Sequence, residues 1–182
     1  MACIKKLAGN ITYDCASAGS ILAIGEVDEL ILVNYNDIST FAESAGVATI
    51  TMKSTTKGYM VTSVNNSISV TIAARINDFV ATAQEHSVIV NILSNGGAPD
   101  GAVLVNVVDA LQNGSYAAFT KTTLGQYYVY GLLSSLECSE ITGDSAAGGR
   151  VQVTLKTPDS AGGDRMLAVS QATYDGLKTP KA

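Results

Sequence analysis

The stretch that decides the fold is "SISVTIAARI", residues 67–76, because its apolar and polar side chains alternate strictly. In an extended chain one face carries Ile68, Val70, Ile72, Ala74 and Ile76, and the other carries Ser69, Thr71, Ala73 and Arg75. A period of two is the pattern of a half-buried antiparallel strand. We therefore expect a strand here, with Ile68, Val70 and Ile72 facing a core.

Similar runs recur along the chain and predict further strands. They are "ILAIG" (21–25), "ELILVNY" (29–35), "ATITMK" (48–53), "GYMVTSV" (58–64), "SVIVNIL" (87–93), "SYAAFTK" (115–121), "QYYVYGLL" (126–133), "SLECSEI" (135–141), "RVQVTLKT" (150–157) and "RMLAVS" (165–170). Short turns at 54–58 and 65–67 predict that 48–53, 58–64 and 68–76 form a three-strand meander. In 150–157 we expect Val151, Val153 and Leu155 to face inward.

Two stretches break the alternation and predict helices. In "DFVATAQEH", residues 78–86, Phe79, Val80 and Ala83 share one helical face behind an acidic start. In "GAVLVNVVDALQNG", residues 101–114, apolar residues recur at helical spacing and Asn-Gly follows as a stop. Several valines in this second stretch favour a strand instead; we predict a helix over 103–112.

At 182 residues the chain is the size of one domain. We predict a mainly β fold over residues 1–182: a single-domain antiparallel β-sandwich or barrel with one or two short helices. Residues 1–15 and 171–182 are predicted to be arms that contact neighbouring subunits. The start, "MACIKKLAGNITYDC", lacks the long apolar run of a signal peptide or membrane helix. We expect the chain to fold in a reducing cytoplasm without a membrane anchor.

Charged residues are scarce, and this scarcity indicates a protein that binds partners. They make up 15% of the chain, against about 25% in an average soluble domain. A folded chain this poor in charge covers itself with small polar residues or buries surface against other subunits. The net charge is −5, and no Lys or Arg occurs from 77 to 119. Nucleic-acid binding requires clustered basic residues, so this class is disfavoured.

The sequence contains no set of residues that predicts catalysis, a metal or a cofactor. His86 is the only histidine, which leaves no nucleophile, base and orienting group to assemble; we interpret it as a structural residue near a helix end. Cys3, Cys15 and Cys138 are widely spaced and predict reduced, partly buried thiols rather than a zinc site. We expect a protein that is not an enzyme.

The acidic residues and the glycine-rich pieces are explained by turns. Most of the acids lie in predicted turns, which leaves a small hydrolase with loop carboxylates as a disfavoured alternative: Asp28, Glu29, Asp37, Glu43, Asp144, Asp159 and Asp164. The related pieces "DSAAGGR" (144–150) and "DSAGGDR" (159–165) flank a strand rather than lead into a helix, as a phosphate cradle requires. We interpret both as turns that fit against a neighbouring subunit.

One aromatic cluster leaves a binding function open. Tyr127, Tyr128 and Tyr130 occur within "GQYYVYG". Together they would form a platform for stacking a sugar, in a carbohydrate-binding β-sandwich module, although packing between strands is the commoner role of such residues. The absence of tryptophan weighs against the sugar-binding alternative.

The order of elements in "QYYVYGLLSSLECSEITGDSAAGGRVQVTLKT", residues 126–157, resembles the C-terminal half of tail tube and related ring proteins of tailed bacteriophages. The predicted helix "NDFVATAQE" and the strand "SVIVNIL" are similar to the single helix set against a barrel or sandwich in that family. The resemblance covers roughly residues 50–170. The N-terminal "MACIKKLAGNITYDC" resembles structural proteins of Bacteroides-type phages.

This resemblance implies a virion structural protein, most simply a tail tube subunit that stacks as rings around a DNA-conducting channel. Partners would be copies of the chain and other tail or connector proteins, with the genome passing without sequence-specific binding. Repeated negative charge around the channel would keep DNA from adhering. The stretch 103–112 has no counterpart in the family pattern, which leaves a head–tail connector or a capsid-associated ring protein as an alternative.

Overall fold

The computed structural model describes residue 9 and residues 27–62, 68–77, 80–92, 102–123, 125–144, 150–161 and 163–180. Eleven strands and two α-helices follow one another in these parts of the chain. They are β1 (Val27–Asn34), β2 (Ile38–Ser44), β3 (Val47–Met52), β4 (Tyr59–Thr62), β5 (Ile68–Asn77), β6 (Val80–Ile92), α1 (Ala102–Asn113), β7 (Ser115–Thr122), β8 (Tyr127–Tyr130), β9 (Leu136–Asp144), β10 (Arg150–Lys156), β11 (Leu167–Val169) and α2 (Gln171–Gly176). The predicted strand at 21–25 and the turn at 65–67 lie outside the described residues.

The strands form one open mixed sheet with the order β2-β3-β11-β8-β7-β9-β10-β6-β5. β1 pairs with β7 and with β4, off this path. The prediction of a mainly β domain is confirmed. The expectation of a fully antiparallel fold is wrong at one place, because β11 runs parallel to β3, with Ala168 opposite Val47.

The centre of the sheet is buried on both faces. Along β1, Leu30 and Leu32 face one hydrophobic cluster, whereas Ile31 and Val33 face another. The first cluster lies among β1, β4 to β10 and α1, and the second among β1, β3, β7, β8, β11 and α2. Because both faces need apolar side chains, the sequence of β1 is a continuous apolar run rather than an alternation.

The helix predicted over 103–112 is confirmed as α1. Leu111 is fully buried, Leu104, Val107 and Val108 pack against the first cluster, and Val105 is exposed on the opposite side. The helix ends at Asn113, immediately before the glycine that was predicted to stop it. Helical spacing of the apolar face has therefore outweighed the strand preference of valine in this segment.

The helix predicted over 78–86 is wrong from residue 80 onward, because residues 80–86 belong to strand β6; residues 78 and 79 lie outside the described residues. β6 pairs antiparallel with β5 along nearly its whole length, from Ile68 opposite Val90 to Asn77 opposite Val80. The helical pattern was only one turn long, and a neighbouring ten-residue strand provides a continuous hydrogen-bonding partner instead. The helix implied by the resemblance at this position is therefore also absent.

The predicted meander is wrong as well, although its strands exist. β3 pairs with β2 and β11, β4 pairs with β1, and β5 pairs with β6. Each of the three strands thus finds its partner elsewhere in the chain.

The predicted inward face of β5 is only partly buried. Ile68 is buried and Val70 half-buried, but Ile72 is 40% exposed, which contradicts its predicted core position. The side chain of Ile76 lies outside the described residues. On β10, Val153 and Leu155 are buried as predicted, and Val151 is half-buried. β5 is the last strand in the strand order, and its inward-facing side chains become more exposed from Ile68 to Ile72.

Helix α2 packs onto its own chain. The Ser170 hydroxyl caps the helix by accepting a hydrogen bond from the backbone N–H of Thr173 at 3.1 Å. Tyr174 and Leu177 are buried in the second cluster. Contact of 171–182 with a neighbouring subunit stays a prediction, and residues 1–15, apart from Gly9, lie outside the described part.

Candidate functional site

A buried histidine joins three parts of the sheet. His86 lies on β6 and is fully buried. Its Nδ1 accepts a hydrogen bond from the backbone N–H of Gly131 at 3.4 Å, and its Nε2 lies 3.3 Å from Oε1 of Gln84. The ring meets Tyr130 edge-on, with the ring centroids 5.3 Å apart. The expected place of His86 near a helix end is wrong, because it lies within a strand and its contacts are to core groups.

A buried carboxylate faces this histidine. Oδ2 of Asp164 lies 3.9 Å from Nδ1 of His86. The carboxylate accepts hydrogen bonds from the Ser134 hydroxyl at 3.0 Å and from the backbone N–H groups of Leu133 at 3.3 Å and Arg165 at 2.7 Å. These donors satisfy a charge that would be costly to bury alone.

The second glycine-rich piece is a loop closed onto β6, not a ligand cradle. Thr157 N–H donates to the carbonyl of His86 at 2.9 Å, and Asp164 and Gln84 exchange two backbone hydrogen bonds of 2.8 Å. Gly163 packs so closely on Ala83 that an added Cβ would lie 2.2 Å from the Ala83 side chain. The turn prediction for 159–165 fits this geometry. Of the first piece, residues 145–149 lie outside the described residues.

Burial favours the neutral form of His86. Burial lowers the pKa of His86, and the charge of Asp164 acts in the opposite direction. Burial also raises the pKa of Tyr35, with a further contribution from Asp164. The Ser134 hydroxyl donates to the carboxylate, not to the imidazole, so the three groups do not form the serine–histidine relay of a hydrolase. Their arrangement connects β6, the β8–β9 turn and the loop before β11.

The tyrosine platform is not assembled. Tyr127 faces the second cluster and stacks against Tyr174 with the ring centroids 4.9 Å apart. Tyr128 and Tyr130 face the first cluster, on the opposite side of the sheet. Neighbouring residues of a strand point to opposite faces, so the three rings cannot hold one sugar together.

Tyr128 and Tyr130 instead line a groove of about 530 Å³ beside β5, which we call the β5 groove. Its lining residues come from β1, β5, β7, β8 and the segment before β11: Val27, Ile68, Ser69, Val70, Ile72, Thr120, Thr122, Tyr128, Tyr130 and Met166. None of these side chains carries a charge. The groove therefore suits a neutral, partly apolar occupant.

A hydroxyl group in the β5 groove lacks a partner. Thr120 is fully buried, and its Oγ1 makes no hydrogen bond in the part of the chain that the structure describes. An unsatisfied buried hydroxyl costs roughly 1–3 kcal/mol. Sequence reasoning missed this residue, because β7 is buried on both faces and no pattern separates Thr120 from its neighbours.

The β5 groove lies beside an unpaired strand edge. β5 pairs only with β6, and at the other end of the sheet β2 pairs only with β3, within the described ranges. Among the described strands, the four-residue β4 pairs only with β1. Apolar side chains are exposed at both ends of the strand order, Phe41 on β2 and Ile72 on β5.

The described residues contain no metal-ligand cluster and no membrane-spanning helix, and their one cysteine is free. Cys138 is a free, half-buried thiol, as predicted, and burial raises its pKa; Cys3 and Cys15 lie outside the described residues. Among the residues described, no three His, Cys, Asp or Glu side chains gather as metal ligands. Neither described helix has the length and apolar character needed to span a membrane.

Comparison of the chain with protein-family models, with curated proteins and with solved structures returns no match.

Proposed function

We propose that this chain is a structural subunit that assembles with copies of itself into a ring, and that the ring is the tail tube of a tailed bacteriophage. The observation that carries the proposal is that β2 and β5, at opposite ends of the strand order, each have one edge without a strand partner among the described residues. Each exposes an apolar side chain, Phe41 or Ile72.

Unpaired edges favour assembly, because exposed N–H and C=O groups are templates for another strand. β2 and β5 are different surfaces, so joining β2 of one copy to β5 of the next gives a head-to-tail contact. Such contacts close into a ring when the rotation per subunit divides a full turn, and otherwise extend into a filament. The low content of charged residues, 15%, also suits a chain that buries surface against its neighbours.

The virion assignment is supported by the C-terminal half of the resemblance. Strands β8, β9 and β10 follow the order on which the likeness to tail tube proteins was recognised. The strand at 80–92 removes the support that a helix at this position would have given. Helix α1, which lacks a counterpart in that pattern, favours the second candidate, a head–tail connector or capsid-associated ring protein.

Light scattering after size exclusion, followed by negative-stain imaging of the purified chain, tests this proposal. A tail tube subunit is expected to give rings that stack into tubes, whereas a connector or capsid-associated protein is expected to give single rings. A protein that stays monomeric up to its solubility limit, alone and with the tail and connector proteins of its own phage, would contradict both candidates.

A further inference from the structure

We infer that the β5 groove is the receptor site for strand β2 of a second copy of this chain. The inference rests on the proposed self-assembly and specifies the contact that makes it. β2 would add to the free edge of β5, and its apolar side chain Phe41 would lie against the apolar wall of the groove.

The receptor side is incomplete in the part of one subunit that the structure describes. The edge of β5 that faces away from β6 has no strand partner among the described residues. Val70 and Ile72 line the groove beside that edge, and Ile72 is left exposed. Met166 at the groove is also exposed. An added strand would pair with the edge and cover these apolar side chains in one step.

Thr120 is a second, independent indication that the groove receives a partner. Its side chain lines the groove, is fully buried and has no hydrogen-bond partner in the described residues. Buried hydroxyls in folded proteins are almost always paired. A Ser or Thr hydroxyl on the groove-facing side of the incoming strand would satisfy it.

The occupant side is equally exposed. Five of the seven residues of β2 are exposed, and the sequence "ISTFAES" contains one charged residue, Glu43. That carboxylate is already paired with Arg165 of the same chain. Alternation puts Ser39, Phe41 and Glu43 on one face of β2. That face therefore offers Phe41 and a hydroxyl, beside a carboxylate neutralised by Arg165, to a groove without charged lining residues.

Disulfide capture between differently tagged copies tests this contact. In a background with Ser at positions 3, 15 and 138, one copy carries Phe41→Cys and the other carries Ile72→Cys or Val70→Cys. Paired strands place opposite Cα atoms about 5 Å apart, within the reach of a disulfide. We expect mild oxidation to produce a covalent pair with one copy of each kind. Val105→Cys, exposed on α1, is the matched control and should not pair with Phe41→Cys.

Other occupants give different products. Dominant pairing of two Ile72→Cys copies would mean that β5 meets β5, and would overturn the inference. Capture of Ile72→Cys by Leu22→Cys within one chain would assign the groove to the N-terminal segment, with the same consequence. Rings that form without cross-linking through the groove would overturn this inference and leave the proposed function standing. A wild-type chain that stays monomeric would contradict both this inference and the proposed function.

Thr120→Val provides a second readout that does not depend on the cysteine background. Valine has nearly the same shape but no hydroxyl, so the variant subunit should be at least as thermally stable as the wild type. Its assembly should weaken by about three- to tenfold in dissociation constant, because the bond to the incoming strand is lost. Thr154→Val, on β10 away from the groove, should leave assembly unchanged. Unaltered assembly of Thr120→Val would argue against the proposed bond.

Discussion

Nδ1 of His86 lies 3.9 Å from Oδ2 of Asp164, and both side chains are completely inaccessible to solvent. The imidazole nitrogen accepts the N–H of Gly131, while the carboxylate accepts three other donors. A protonated imidazole could not accept the Gly131 hydrogen bond. The native structure therefore requires a neutral histidine beside a carboxylate that is satisfied by other groups.

Acid should destabilise the fold through His86. Burial lowers the folded-state pKa of this residue, whereas the unfolded-state value is about 6.5. Below that pH the unfolded chain binds a proton that the folded chain resists, so the free energy of unfolding falls as pH decreases from about 7. His86→Asn, whose amide oxygen can accept from Gly131, should lose less stability between pH 7.5 and 5.5 in urea titrations. Equal losses in the two proteins would contradict this assignment.

Removing the buried carboxylate should be costly. Asp164→Ala leaves the donors of Leu133, Ser134 and Arg165 without their acceptor, and we expect a loss of about 3 kcal/mol in the free energy of unfolding. Glu140→Ala removes an exposed carboxylate from β9 and should change stability by less than about 0.5 kcal/mol. Chemical denaturation of both variants checks the difference. Similar small losses would show that Asp164 does not hold the loop.

Two glycines with nearly the same positive φ angle should respond differently to alanine. Gly131 and Gly125 have φ angles of 73° and 74°. A Cβ at Gly131 would lie 2.4 Å from Cγ of Leu136, whereas a Cβ at Gly125 meets nothing within 4 Å. We expect Gly125→Ala to cost about 1 kcal/mol from backbone strain. Gly131→Ala should cost roughly 2 kcal/mol more from overpacking. Equal melting temperatures of the two variants would refute the close contact.

The C-terminal helix should be an integral part of the core. The Tyr174 hydroxyl donates to Oε1 of Glu29 at 3.2 Å, and Nζ of Lys178 lies 2.7 Å from the same oxygen. Tyr174→Phe leaves Glu29 paired with Lys178 and should cost about 1 kcal/mol. Tyr174→Ala empties a fully buried site and should cost about 4 kcal/mol. If urea unfolding gives the same small loss for both, α2 is not docked as described.

An element is predictable from the sequence when its pattern lies within one segment, and it is not when it depends on a partner distant in sequence. Helix α1 was predictable because its apolar face repeats over two turns within one segment. β6 was mistaken for a helix in its first half because its real partner, β5, is visible only once the two strands are side by side. β2 was not predicted at all, since a strand exposed on both faces has no apolar alternation.

The candidate site was harder to predict than the strands. The groove brings together β1, β5, β7 and β8, which are distant in sequence. Thr120 and Met166 have no local signature, and the role of Asp164 depends on contacts with Ser134 and His86 that no spacing rule reveals. The sequence predicted only the general character of the surface, because a chain with few charged residues is expected to bind partners.

The most direct test of head-to-tail assembly through β2 and β5 is the molar mass, by light scattering, of two blocked variants measured separately and after mixing. Phe41→Lys places a charge on β2 and Ile72→Lys places one in the β5 groove; Val105→Lys, at a more exposed apolar position on α1, is the control and should assemble like the wild type. Each blocked variant alone should be a monomer. The equimolar mixture should form a dimer and nothing larger, because it contains one intact contact, between β2 of the Ile72→Lys copy and β5 of the Phe41→Lys copy. A mixture that stays monomeric while the wild type forms rings, or a blocked variant that assembles by itself, would contradict the account.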